Sequence, residues 1–228
     1  MHIGCLESLR KKRFLHLCSM EIEIWSDVVC PFCYIGKRHL EAAIAQLQLN
    51  EVNLVWRSFQ LDPTVKDEDL GKPTAELLAI KKDLTLEELE DMFVHVKGMA
   101  SKVGLDLKLS ETVVTRTINA HRLLHWAQRH NKMSELKEAF LHANFTLTQD
   151  LNDFETLANV CEQVGLPKEE ALAVLNSNQF LAEVEEDQYT AQQFGIRGVP
   201  YFVFNRKYAL SGAQPIEAFV QTLQAAAN

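Results

Sequence analysis

The first regular pattern along the chain is an alternation of polar and apolar residues over positions 21–25, which is typical of a β-strand. A helical pattern follows over about 33–49, and a second alternating stretch runs from 53 to 61. A strand, a helix and a second strand of these lengths predict a right-handed βαβ unit with parallel strands.

The pattern changes after this unit. Between about Pro73 and Phe194 the apolar residues recur at every third or fourth position, as on the buried face of a helix. One such stripe contains Cys161, which we therefore expect to be a buried small hydrophobe. No Gly/Ser-rich linker flanks the region. We interpret residues 73–194 as a helical insertion rather than as a separately linked domain.

Strand patterns return near the end of the chain, over 201–204 and 208–210, with a turn at Asn205-Arg206 and a last helix from about Pro215. The order βαβ, helices, ββα predicts an α/β chain with a thioredoxin-like fold and an all-helical insertion. The thioredoxin-like domain would comprise residues 20–72 and 195–228. Residues 1–19 lack the apolar core and cleavage site of a secretory signal, so we expect a disordered leader and a cytoplasmic location.

Composition excludes some partners. The 228 residues carry a formal net charge of -8, which argues against a basic surface for nucleic acid or anionic lipid. No apolar run approaches the roughly 20 residues that a membrane-spanning helix needs. We therefore expect neither nucleic acid nor a membrane as partner.

The candidate chemistry lies in the motif Cys30-Pro31-Phe32-Cys33, where the first strand meets the first helix. The attacking species in disulfide exchange is a thiolate, and a helix N-terminus lowers the pKa of a thiol below its usual value of about 8.5. Pro31 suits the first helical position. We predict that Cys30 is the nucleophile, with a lowered pKa, and that Cys33 is the resolving thiol.

A second element precedes the third strand, in Gly198-Val199-Pro200-Tyr201. In the split fold this segment would face the dithiol, so we expect a cis peptide at Pro200 and a free Val199 backbone that pairs with an extended substrate. Phe32 and Pro31 would contact the substrate from the other side. Four further residues are expected to border the cleft: Trp25, Asp27, Phe59 and Gln214.

The motifs together resemble the FrnE-like branch of the DsbA family. The resemblance rests on residues 20–38, on Ala120-His121-Arg122-Leu123, and on the segments 198–204 and 211–215, and it extends over nearly all of residues 20–228. It implies a DsbA-like fold, protein or small-molecule thiols and disulfides as substrates, and glutathione as a possible redox partner without a bound cofactor. The usual dipeptide between the cysteines is Pro-Trp, and Phe32 replaces the Trp.

Two other functions remain open at the level of sequence. Kappa-class glutathione transferases and related isomerases resemble this chain outside the motif but carry Ser at the position of Cys30. A non-catalytic zinc module could use Cys30, Cys33, His121 and His125, since the two histidines are spaced i, i+4 on one helical face. We favour the oxidoreductase and expect no metal.

Overall fold

The computed structural model describes residues 20–227, so the expected leader lies outside the described residues. A four-stranded sheet has the order β2-β1-β3-β4. Its strands are β1 (Met20–Ser26), β2 (Val52–Ser58), β3 (Tyr201–Phe204) and β4 (Tyr208–Ser211). β1 is parallel to β2 and antiparallel to β3, and β3 is antiparallel to β4. This is the strand arrangement that the alternating patterns predict.

The predicted extent of the second strand is wrong at its end. β2 stops at Ser58 rather than at residue 61. Beyond Ser58 the backbone leaves the sheet, because the Leu61 N–H donates to the Asp27 carboxylate at 2.8 Å instead of to a neighbouring strand. The segment that follows β2 is thereby held beside the start of α1.

Two helices of the thioredoxin-like unit pack against each other, α1 (Pro31–Gln46) and α9 (Ile216–Ala226). Phe219 of α9 meets Phe202 and Phe204 of β3 edge to face, with ring centroids 4.9 and 6.5 Å apart. Such aromatic pairs stabilise a core beyond their buried area. They join this helix layer to the middle of the sheet.

Between β2 and β3 the regular secondary structure of the described chain is helical, apart from an isolated bridge between Pro73 and Val113. Two short 3-10 helices lie at Asp67–Asp69 and Leu109–Glu111. The α-helices of this region are α2 (Thr74–Lys82), α3 (Leu86–Ser101), α4 (Ile118–Gln128), α5 (Met133–Phe145), α6 (Phe154–Gln163), α7 (Lys168–Leu175) and α8 (Leu181–Gln193). A thioredoxin-like fold with a helical insertion is confirmed; the exact boundaries of residues 73–194 stay a prediction.

The insertion contacts the sheet through buried charges as well as apolar groups. Trp25, with Ala191 and other apolar residues, forms a small core on the face that α8 covers. On β1, Glu23 belongs to the alternating pattern as a polar residue, yet it is 1% exposed. Its carboxylate accepts from Arg57 at 2.7 Å and from Arg206 at 2.9 Å, and Arg57 also reaches Asp187 of α8 at 3.2 Å. These ion pairs offset the cost of removing the Glu23 charge from water.

Candidate active site

The dithiol lies at the N-terminus of α1, as the sequence predicts. Cys30 is the N-cap residue, and Pro31 occupies the first turn, where a missing N–H has no helical partner to lose. Both cysteines are free thiols, with exposed fractions of 3% for Cys30 and 1% for Cys33. Each thiol shifts the pKa of the other. The ionisation of one cysteine therefore depends on the protonation of its partner.

The loop before β3 faces this pair. The peptide bond between Val199 and Pro200 is cis, which confirms the expectation from sequence. The Cys30 thiol donates to the Val199 carbonyl oxygen at a sulfur–oxygen distance of 3.5 Å. The structure thus brings together the predicted residues of the two segments.

Gly36 is a residue of this site that sequence reasoning missed. It lies in the interior of α1, where a Cβ atom would be 3.1 Å from Cγ of Pro200 and 3.2 Å from Cζ of Phe202. Glycine is otherwise unfavourable within a helix. Its presence one turn after the cysteines was the available signal that another segment approaches the helix here.

Buried polar groups adjoin the dithiol, one from the segment after β1 and two from the insertion. The Asp27 carboxylate, 0% exposed, accepts from the Val28 N–H at 2.7 Å and lies 3.2 Å from Nε2 of His121 on α4. Lys137 on α5, 1% exposed, donates from Nζ to the Ser26 carbonyl at 3.3 Å. Sequence reasoning did not assign Lys137, and it considered His121 only as a zinc ligand.

Glu138, the next residue on α5, fixes this helix against α1. Its carboxylate accepts from the Tyr34 hydroxyl at 2.6 Å and from the Lys37 ammonium at 2.6 Å. Arg38 donates to the same carboxylate. Because three donors from one face of α1 converge on Glu138, the register of α5 is fixed and Lys137 is held beside the dithiol.

The negative charge of the reduced pair is favoured on Cys33. Burial opposes its ionisation, but the interaction with the Cys30 thiol and the charge of Lys137 outweigh burial and lower the pKa of Cys33. The pKa of Cys30 is raised well above its ordinary value, first by the interaction with Cys33 and then by burial. The prediction of a lowered pKa at Cys30 is therefore wrong for the reduced pair, because the helix N-terminus is not the dominant influence.

Burial shifts the pKa values of Asp27 and His121 in opposite directions. Burial raises the pKa of the Asp27 carboxyl, but hydrogen bonds from His121 and the Leu61 N–H and the charge of Lys137 overcome this and lower it. Burial lowers the pKa of His121 below its usual 6.5. A neutral imidazole then donates from Nε2 to the Asp27 carboxylate, and its Nδ1 has no hydrogen-bond partner among the described residues.

The alternative zinc site is not assembled. His121 pairs with Asp27, whereas Nε2 of His125 lies 3.0 Å from the Asp187 carboxylate and 3.1 Å from the Ser58 hydroxyl. Within residues 20–227 no group of three or more His, Cys, Asp or Glu side chains is placed to hold a metal ion. The two histidines thus serve separate hydrogen-bonded clusters.

A cavity of about 840 Å³ opens beside Cys30. Phe32 and Val199 also line it, and Phe32 is 39% exposed. Cys33 is not among the lining residues. None of the four residues expected at the cleft lines this cavity. Trp25 and Phe59 belong to the core beneath α8, and Asp27 is buried. Gln214 is exposed near β4.

This geometry agrees with a family comparison, in which the model of the DSBA-like thioredoxin domain matches residues 21–224. The chain belongs to that family. The match covers both thioredoxin-like segments together with the helices between them, so the insertion is part of the family's domain. None of the helices in the described range 20–227 is long and apolar enough to cross a membrane.

Individual relatives agree with the family assignment. The structure of a "probable DsbA oxidoreductase" of Streptomyces coelicolor has 37% sequence identity and a TM-score of 0.86, over 91% of this chain and 89% of that one. The uncharacterized protein YwbO of Bacillus subtilis is 25% identical over 81% of this chain and 86% of its own length. The cytosolic disulfide reductase DsbM of Pseudomonas aeruginosa shares the fold, with a TM-score of 0.62 and 12% identity over 90% of this chain and 97% of its own.

Proposed function

We propose that Cys30 and Cys33 perform thiol–disulfide exchange, with Cys30 as nucleophile and Cys33 as resolving thiol. The chain is an oxidoreductase of the DsbA-like family. The Cys30 thiolate attacks one sulfur of a substrate disulfide and forms a mixed disulfide, and the other substrate sulfur leaves as a thiolate. Cys33 then attacks the Cys30 sulfur, releases the second substrate thiolate and closes the Cys30–Cys33 disulfide. The protein loses two electrons, and the substrate gains them.

The observation that carries this proposal is the unequal access of the two thiols. Cys30 lines the cavity and contacts the Val199 carbonyl, whereas Cys33 does not reach the cavity. Transfer of a proton from the Cys30 thiol to the Cys33 thiolate moves the negative charge to Cys30, which a substrate can approach. Lys137 stabilises this charge while it stays within the pair. We therefore assign Cys30 as the nucleophile because it is the cysteine that a substrate in the cavity can reach.

The substrates we propose are protein or small-molecule thiols and disulfides, with glutathione as a redox partner. The Val199 N–H forms no hydrogen bond with another residue in the described part of the chain, so it can pair with a substrate backbone. DsbM of the same fold has been solved with GSH, which supports a small-thiol partner. We further propose membership of the FrnE-like branch and a cytoplasmic location, where DsbM is described as acting.

A redox titration tests the proposal. The protein, with Cys5 and Cys18 replaced by Ser, is equilibrated in buffers of reduced and oxidised glutathione, quenched with acid and alkylated. Mass spectrometry then gives the fraction in which Cys30 and Cys33 are joined. We expect a single two-electron transition, unchanged by Cys161→Ser and abolished by Cys30→Ser. A pair that stays fully reduced at every buffer ratio would contradict the function.

A further inference from the structure

The cavity beside Cys30 has the size and chemistry of a small-molecule site. Its volume of about 840 Å³ lies within the range of roughly 300–1,000 Å³ that is usual for ligand pockets. Apolar side chains from α2, α3 and the following 3-10 helix form much of its wall: Leu77, Leu78, Met92, Phe93, Val96 and Leu109. The nucleophile lies among the lining residues. A molecule in this space would present its apolar surface to the insertion and a sulfur atom to Cys30.

One polar side chain within the cavity lacks a partner. Asn144 on α5 lines the cavity and is 2% exposed, and its carboxamide forms no hydrogen bond with another described residue. Amide groups inside a protein are usually hydrogen-bonded. The neighbouring Thr112 and Thr115 hydroxyls, by contrast, already donate to backbone carbonyls. Asn144 is therefore available to a bound molecule.

The rim of the cavity has an excess of positive charge. Asp62 is paired with Lys81, whereas the exposed Lys82 has no ion pair among the described residues. One unpaired ammonium at the entrance favours a neutral or anionic molecule over a cationic one.

We propose that this cavity binds an apolar, neutral or anionic disulfide of the size of a small aromatic molecule, or the corresponding thiol. The polar group of this molecule pairs with Asn144 while its sulfur contacts Cys30. The proposal rests on the proposed exchange function and specifies its substrate class. In the forward direction the bound disulfide accepts two electrons from the dithiol and leaves as two thiols. The Cys30–Cys33 disulfide formed in that step is returned to the dithiol by two molecules of a thiol such as glutathione, which leave joined as their own disulfide.

The test narrows the cavity without altering the dithiol. Leu77→Trp places a large ring on the cavity wall, and Ile80→Trp is its matched control, because Ile80 lies on the same helix but is 77% exposed. In the Cys5→Ser, Cys18→Ser background, kcat/KM is measured for 4,4′-dithiodipyridine and for bis(2-hydroxyethyl) disulfide. Each variant is compared with the parent protein on the same substrate, so the intrinsic reactivity of each disulfide cancels.

We expect Leu77→Trp to lower kcat/KM for 4,4′-dithiodipyridine about tenfold, the scale of steric exclusion from an apolar pocket, and to change the value for the small disulfide less than about twofold. Ile80→Trp should change neither. Calorimetry with 4,4′-thiodipyridine, a thioether that cannot exchange, should show binding to the parent and to Ile80→Trp and loss of binding in Leu77→Trp.

The two proposals fail differently in this experiment. If both disulfides respond equally to Leu77→Trp, or the thioether does not bind the parent, the cavity proposal is overturned while exchange itself stands. If no disulfide reacts with the parent protein, the exchange function is overturned, and the thioether still reports whether the cavity binds. A folding defect in Leu77→Trp is recognised by its circular dichroism and urea unfolding, measured before the kinetics. Asn144→Leu then replaces it: weaker thioether binding is expected, and unchanged binding overturns the proposal.

Discussion

The close approach of Pro200 to α1 makes Gly36→Ala a quantitative test of the site. A Cβ at this position would lie 3.1 Å from Pro200 and 3.2 Å from Phe202, so the loop or the helix must shift by a few tenths of an ångström. Overpacking of this kind costs about 1–3 kcal/mol, whereas Ala within a helix gains about 0.5–1 kcal/mol over Gly. The net effect is a destabilisation of up to about 2.5 kcal/mol.

Gly98→Ala is the matched control, because Gly98 lies in the interior of α3 and a Cβ there would meet nothing within 4 Å. The helix-propensity gain is common to both variants and cancels in their difference. The free energy of unfolding, measured with urea on the reduced proteins, should therefore be about 1–3 kcal/mol lower for Gly36→Ala than for Gly98→Ala. Exchange should also slow in Gly36→Ala alone, since the Cys30–Val199 contact is displaced. Equal stabilisation of both variants would refute the close approach.

Three further predictions concern buried groups. Replacing Lys137 with Met removes a charge that lowers the pKa of Cys33. The pH midpoint for alkylation of the reduced pair by iodoacetamide should therefore rise, and an unchanged midpoint would show that Lys137 does not act on the dithiol. Because the folded pKa of His121 lies below its unfolded value of 6.5, the unfolded chain binds more protons and stability falls as the pH drops below about 6.5. His121→Asn should flatten this fall in urea unfolding, and an equally steep fall would assign it to other groups. Burial raises the pKa of Cys161 to about 12, so this thiol should react only in denaturant, and labelling of the native protein would contradict its burial.

The parts of the fold that follow from local patterns could be predicted. Alternation indicated the strands, spacing indicated the helices, and the position of Pro200 before β3 indicated its cis peptide. The strands and helices each depend on a few neighbouring residues, whereas the cis peptide was expected because the split fold places Pro200 opposite the dithiol. The end of β2 was missed because the backbone after Ser58 bonds to the Asp27 side chain, which no alternation reveals.

The electrostatics of the site could not be predicted in the same way. His121 meets Asp27 across 94 positions of the chain, and Lys137 meets Ser26 across 111. Neither contact leaves a signature in the helices concerned, where a basic residue ordinarily indicates a solvated face. The helix N-terminus is visible in the sequence, and it led to the incorrect prediction of a lowered pKa at Cys30. The buried partners that place the charge on Cys33 depend on how the insertion packs against α1.

The most direct test compares two variants, each of which lacks one of the two active-site sulfurs. Cys33→Ser and Cys30→Ser are each treated with oxidised glutathione at neutral pH, in the Cys5→Ser, Cys18→Ser background, and the adducts are mapped by mass spectrometry of peptides. Because Cys30 lines the cavity and no resolving thiol remains, Cys33→Ser should accumulate a mixed disulfide on Cys30. Cys30→Ser should carry no adduct. An adduct on Cys33 alone would reverse the assigned roles, and its absence from both variants would contradict thiol–disulfide exchange at this site.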